Sequence, residues 1–203
     1  MDIKEICNIY SGLEQVKTLI QALGDYSVKN IFIDGLVASS VPMVFSSLSG
    51  ILPKVFLFIM HDIDEAGYLY QDLLHILGNQ AVHFFPSSYR RAIKYGQRDA
   101  ANEILRTEVI SSLSDVENLS DKSGPLFIVS YPDALSELVV SRKKLDSRIV
   151  KLQVGMSVDV SVLSKKLKDY GFNEVDYVYE PGQFACRGSI FDVYSYSCEN
   201  PYR

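Results

Sequence analysis

The sequence predicts an α/β fold, with a mostly parallel sheet and helices on both faces over residues 1–141, followed by a small α+β domain over residues 142–203. Three observations lead there. Apolar runs of strand length, at 31–33, 55–60, 81–85 and 125–129, alternate with stretches whose apolar residues recur at helical spacing, which is a βαβ succession. Val55-Phe56-Leu57-Phe58-Ile59-Met60 is apolar at every position, the mark of a strand covered on both faces. Beyond Ser141-Arg142-Lys143-Lys144 the pattern becomes a two-residue alternation broken by Pro181-Gly182, which reads as antiparallel pairing.

Taken in order, Leu13, Val16, Ile20 and Leu23 form an amphipathic helix closed by Gly24. Ile31-Phe32-Ile33 reads as a buried strand, Gly35 as a turn, and the residues up to about Gly50 as a helix with Pro42 in its first turn. This is where an α/β nucleotide-binding protein cradles a phosphate. A working phosphate loop, G-x-x-x-x-G-K-[ST], needs glycine-freed amides, a lysine for charge and a hydroxyl for magnesium. With Gly35 as the first glycine, Ser40 replaces the second, Val41 the lysine and Pro42 the hydroxyl residue, so this P-loop-like site is degenerate and is not expected to bind.

Asp62 is the N-cap of the next helix, with Glu65 three residues on; Ile63, Ala66, Leu69, Leu73, Leu74 and Leu77 supply its apolar face and Gly78 its stop. Ala81 to Phe85 is a strand ended by Pro86, and residues 86–98 are a loop holding Arg90, Arg91, Lys94 and Arg98. A helix from near Asp99 carries Ala101, Ile104, Leu105, Val109 and Leu113; 114–124 is a polar linker; Pro125 to Val129 is a strand; Pro132 opens a short helix. In the second domain Ile149 to Val154 reads as a strand, a helix bears Val160, Leu163, Leu167 and Tyr170 and ends at Gly171, and Gln183 to Tyr196 gives one or two strands.

Composition narrows the function classes. The 203 residues are 47% hydrophobic and 22% charged, as in a soluble globular protein, and no apolar run approaches the roughly 20 residues of a membrane span. Met1-Asp2-Ile3-Lys4-Glu5 lacks the basic end and apolar core of a signal peptide, so a cytoplasmic location is expected. Cys7, Cys186 and Cys198 are odd in number and far apart, and His61, His75 and His83 share no ligand spacing, which argues against disulfides and a metal site. The charge of −5 is uneven: residues 142–203 hold ten Lys/Arg against eight Asp/Glu, which leaves −7 on residues 1–141. An acidic first part is a poor surface for nucleic acid, whose binding depends on neutralising cations.

Glu180-Pro181-Gly182-Gln183-Phe184-Ala185-Cys186-Arg187-Gly188-Ser189-Ile190-Phe191-Asp192-Val193-Tyr194, with Glu199-Asn200-Pro201-Tyr202-Arg203 after it, carries a specific resemblance. It is similar to the N-terminal module of the bacterial transcription-repair coupling factors (Mfd), a family related to the excision-repair protein UvrB. The family pattern is roughly G-x-[FY]-x-x-R-G-[GS]-[ILV]-[ILF]-D-[VLI], then P-[YVI]-R, and both arginines, both glycines and the aspartate stand here. Leu163 to Tyr170-Gly171-Phe172 fits its L-x-x-x-G-[YF] segment, and Phe85-Pro86 with Arg98 to Leu105 fits more loosely upstream. UvrB has an intact phosphate loop and a long Tyr-rich hairpin; this sequence has Ser40-Val41-Pro42 and a short loop, as the coupling factors do.

The resemblance implies a non-catalytic recruitment module that docks UvrA in nucleotide excision repair, with Arg187 and Arg203 in the contact. It also implies a fragment of a longer protein, whose RNA-polymerase-binding region and ATP- and magnesium-dependent DNA translocase motor lie beyond residue 203. No cofactor and no catalytic residue are expected in residues 1–203. From position alone, Arg187 could instead pair with Asp192 or Glu180 as a surface ion pair. Two other functions are open: nucleic-acid contact through Arg90, Arg91, Lys94 and Arg98, and an active nucleotide-binding enzyme in which Lys29 or Lys54 replaces the missing lysine.

Overall fold

The computed structural model describes residues 3–79, 81–89, 99–118, 125–140, 144, 147, 149–196, 198 and 200–203. The chain divides into two compact units, residues 1–86 with 115–136, and residues 87–114 with 137–203. The basic residues Arg90, Arg91, Lys94 and Arg98 lie outside the described residues.

The first unit is an α/β domain around a three-stranded parallel sheet in the order β1-β3-β2, where β1 is Val55–Ile59, β2 is Val82–Phe84 and β3 is Leu126–Ser130. The central strand β3 is buried at all five positions, so an unbroken apolar sequence suits it. Phe127 stacks on Phe56 with ring centroids 5.1 Å apart. The buried Ser130 hydroxyl donates to the Phe85 carbonyl at 2.8 Å, which satisfies its polar atom.

Helices α1 (Ile3–Gly12), α2 (Glu14–Gly24) and α3 (Ser40–Ser47) share a core of Val16, Leu19, Val44 and Leu48. Helix α4 (Ile63–Leu77) buries Ala66, Leu69 and Leu73 and packs on β2 and β3. Its cap is the expected one: the Asp62 carboxylate accepts the N–H groups of Asp64 and Glu65, and Gly78 closes the helix at φ +82°. Helix α5 (Ala100–Asn118) runs on through the start of the expected polar linker, and α6 (Pro132–Leu135) opens at Pro132.

Two expectations for this unit are corrected. Ile31-Phe32-Ile33 is not a buried strand: it pairs with no strand among the described residues, and Phe32 is 91% exposed. Three apolar residues between Lys29-Asn30 and Asp34 bury too little surface to offset ordering unless a neighbouring strand receives them. Strand β1 is covered on one face only: Phe56 and Phe58 pack inward, while Val55, Leu57 and Ile59 are open to solvent among the described residues.

The second unit contains a small mixed sheet in the order β4-β5-β6: β4 is Asn173–Glu174, β5 is Gln183–Arg187 and β6 is Ile190–Tyr194. Helix α7 (Val160–Asp169) is capped by the Asp159 carboxylate. It buries Leu163 and Leu167 against Phe184, with Phe172, Phe191 and Val193 around them. Antiparallel pairing holds for β5 and β6, but β4 runs parallel to β5, since residues 175–182 carry the chain back to the same end before it enters β5. Residues 149–154 form no strand. Val150 alone anchors this segment in the core, and Ile149, Leu152 and Val154 are exposed.

Candidate functional site

The hairpin β5-β6 sorts its side chains by strand periodicity. Phe184, Phe191 and Val193 face the core, while Ala185, Arg187 and Asp192 stand on the opposite face. Ala185 is directly across from Asp192, so Arg187, two residues on, meets Asp192 diagonally. Gly188 makes the turn between the strands at φ +62°, a conformation that suits glycine.

Beyond β6, Tyr202 bridges back to Val193, with N–H to carbonyl distances of 3.0 and 2.8 Å in the two directions. One step along that ladder, Arg203 falls beside Asp192. The Asp192 carboxylate therefore receives three bonds from two guanidiniums: Arg187 Nη2 at 2.5 Å, Arg203 Nε at 2.8 Å and Arg203 Nη2 at 3.1 Å. Hydrogen bonds from Arg203, then the charges of Arg203 and Arg187, hold its carboxyl below the usual carboxylate range, against the opposing effect of burial. The Asp192 side chain is 9% exposed, whereas those of Arg187 and Arg203 are 31% and 70% exposed.

The loop beside this pair is tied down by the same motif. Arg187 Nη1 donates to the Asp176 carbonyl at 3.2 Å, and its guanidinium lies 4.4 Å from the centroid of the Tyr177 ring. The Gln183 amide oxygen accepts the N–H groups of Tyr179 and Glu180 at 2.9 and 3.1 Å. Gly182, at φ +83°, lies so close to the Tyr196 hydroxyl that a Cβ would collide with it. The result is an open cleft of about 290 Å³ lined by Tyr177, Tyr179, Arg187, Asp192, Tyr202 and Arg203. The three tyrosines are exposed. Chemically it offers fixed N–H donors beside aromatic faces, a combination suited to a protein partner.

The segment read from sequence as a degenerate phosphate loop has a different geometry. Gly35 has φ +82°, and its N–H is taken by the Asp34 carboxylate at 2.8 Å. The Val37 N–H is taken by the Ser40 hydroxyl at 2.7 Å, and the Ser39 hydroxyl donates to Asp72 at 3.2 Å. Val41 is half-buried and Pro42 buried in α3. Two of the loop amides are thus bonded to side chains, those of Ser40 and Val41 are bonded to the Val37 and Ala38 carbonyls, and two carboxylates border the loop. Among the described residues, no group of three or more His, Cys, Asp or Glu side chains could hold a metal ion.

Sequence reasoning missed a partly buried polar node among the described residues of the second unit. Glu137 accepts from Ser87 Oγ at 2.5 Å, from Ser88 Oγ at 2.7 Å and from the Ser88 N–H at 3.0 and 3.1 Å. Arg106 Nη1 lies 3.5 Å away and is almost wholly buried. Burial pushes the Glu137 carboxyl up, but the serine hydrogen bonds and the Arg106 charge outweigh it and leave it below its ordinary value. These residues are far apart in the chain and sit in no local pattern, so no sequence signal joins them.

Residues 150–203 match the family described as the UvrB interaction domain. The transcription-repair-coupling factor of Bacillus subtilis (strain 168) is 25% identical over 190 residues, which cover 94% of this chain and 16% of that protein. That of Myxococcus xanthus is 25% identical over 179 residues, 83% of this chain and 14% of that protein. UvrABC system protein B of Enterococcus faecalis (strain ATCC 700802 / V583) is 27% identical over 150 residues, 70% of this chain and 22% of that protein. The chain spans less than a quarter of the length of these curated relatives.

Proposed function

From a chain homologous to the N-terminal region of the transcription-repair coupling factors and to UvrB, we propose a non-catalytic recruitment module that docks UvrA through its UvrB interaction domain. The observation that carries this reading is the pair of arginines at one cleft. Arg187 and Arg203 share a single nearly buried carboxylate, so two positive charges face one negative. Arg203 Nη1 and Arg187 Nε keep N–H groups for a partner's carboxylate or carbonyl oxygens. Exposed Tyr177, Tyr179 and Tyr202 add the aromatic area on which interface energy concentrates.

A non-enzymatic role for residues 1–203 is supported by the loop at Gly35 to Pro42. It lacks a lysine and a hydroxyl ligand at the required places, two of its amides are bonded to its own side chains, and Asp34 and Asp72 would repel phosphate. RNA polymerase, DNA, ATP and magnesium belong in this reading to other parts of a longer cytoplasmic protein. Among the described residues, no helix is long and apolar enough to cross a membrane.

Co-elution of the chain with UvrA on size exclusion tests the proposal. The expected result is a complex that forms with the wild type and is lost with Arg187→Ala, while circular dichroism of the variant stays unchanged. Equal co-elution of both proteins would overturn the assignment of Arg187. Magnesium-dependent binding of ATP at micromolar concentrations would overturn the non-catalytic reading.

A further inference from the structure

Asp192 is buried beneath a half-buried Arg187 and an exposed Arg203, and that placement calls for a reason. Its residue exposure is 7%, so it offers a partner almost nothing itself. Yet it joins two cations brought from different directions: Arg187 from the end of β5, and Arg203 from the segment that returns beside β6 at Tyr202. Free arginine side chains lose much rotamer freedom when they are ordered at an interface. Here that ordering is present before any partner arrives. Arg187 is held further by the Asp176 carbonyl and the Tyr177 ring, whereas the bonds described for the Arg203 side chain both go to Asp192.

We infer that Asp192 is a positioning residue for docking, holding Arg187 and Arg203 at a fixed spacing so that their remaining N–H groups meet the partner as one preformed pair. The inference rests on the reading of this cleft as the UvrA-docking site. A purely structural ion pair would make Asp192 matter for folding and leave affinity alone. A positioning role makes it matter for affinity, and through the arginines.

The test is a double-mutant cycle in UvrA affinity, measured by calorimetry on the wild type, Asp192→Asn, Arg203→Gln and the doubly substituted chain, with the melting temperature of each recorded. Asp192→Asn is expected to weaken binding about tenfold in the wild-type background and less than about threefold when Arg203 is already glutamine. Asp192→Glu keeps the charge but moves the carboxylate outward by one methylene, and it is expected to weaken binding severalfold. This second variant decides the matter if Asp192→Asn does not fold. Wild-type affinity for the folded Asp192 variants, or an equal loss in both backgrounds, overturns the positioning role while the docking reading stands. Indifference to Arg203→Gln likewise overturns the positioning role alone, and absence of wild-type binding overturns both.

Discussion

Among the described glycines of the second unit Gly182 is the most constrained, because its φ of +83° strains any side chain and a Cβ would have to push the Tyr196 ring aside. Gly182→Ala is expected to cost about 1–3 kcal/mol or more of stability, read as a lowered denaturation midpoint. Glu137 makes an electrostatic demand, since Ser87, Ser88 and Arg106 all direct donors or charge at it. Glu137→Gln weakens those bonds and is expected to cost about 1–3 kcal/mol in urea unfolding. Asp192 and Glu137 both have lowered pKa values in the folded chain. Their contribution is therefore complete above the ordinary carboxylate range near pH 4 and is lost as pH falls through the lowered folded values. Melting temperature should drop in that acid window, and less steeply for Asp192→Asn; an unchanged slope would contradict the pairing. At this scale the sequence was legible where a motif holds neighbours together. Arg187, Asp192 and Arg203 lie within one pattern, whereas Glu137 meets Ser87 and Arg106 only because the chain folds.

Elements followed periodicity when their own ends and faces specified them. Helix α4 is the clearest case, with an aspartate cap, one apolar face and a glycine stop all present in the sequence and in the fold. Asp62→Ala is expected to remove about 1 kcal/mol by leaving the first-turn amides without their acceptor, measured as a shift in urea midpoint. Short strands are a different matter, because a strand exists only with a neighbour. Leu126 to Ser130 has β1 on one side and β2 on the other and is fully buried. Ile31 to Ile33 is apolar throughout and Ile149 to Val154 at four of six positions, but neither pairs with a strand among the described residues, and their side chains are largely open. The parallel course of β4 escaped a reading by alternation for the same reason, since direction depends on the path of residues 175–182 and not on their hydrophobicity.

At the scale of the whole molecule, an α/β domain and a small mixed-sheet domain carry two sites of opposite fate. The loop after Gly35 precedes a helix but follows no strand among the described residues, and it bonds two of its amides to Asp34 and Ser40. The hairpin at Arg187 holds fixed cations at an open cleft. The −7 charge of residues 1–141 against +2 for residues 142–203 places the net positive charge with the hairpin. Partner binding is expected to reside in residues 142–203 and to tolerate changes in the loop at Gly35 to Pro42: Ser40→Ala should leave UvrA affinity unchanged in a binding titration. Docking through the paired arginines is decided by a calorimetric titration of UvrA with the chain, wild type against Arg203→Ala. Saturable binding that weakens at least about tenfold in the variant, an interface loss of roughly 1.4 kcal/mol or more, while the variant stays folded with only a small drop in melting temperature from the lost Asp192 pairing, is the predicted result. Absence of binding, or equal affinity for the two proteins, would contradict it.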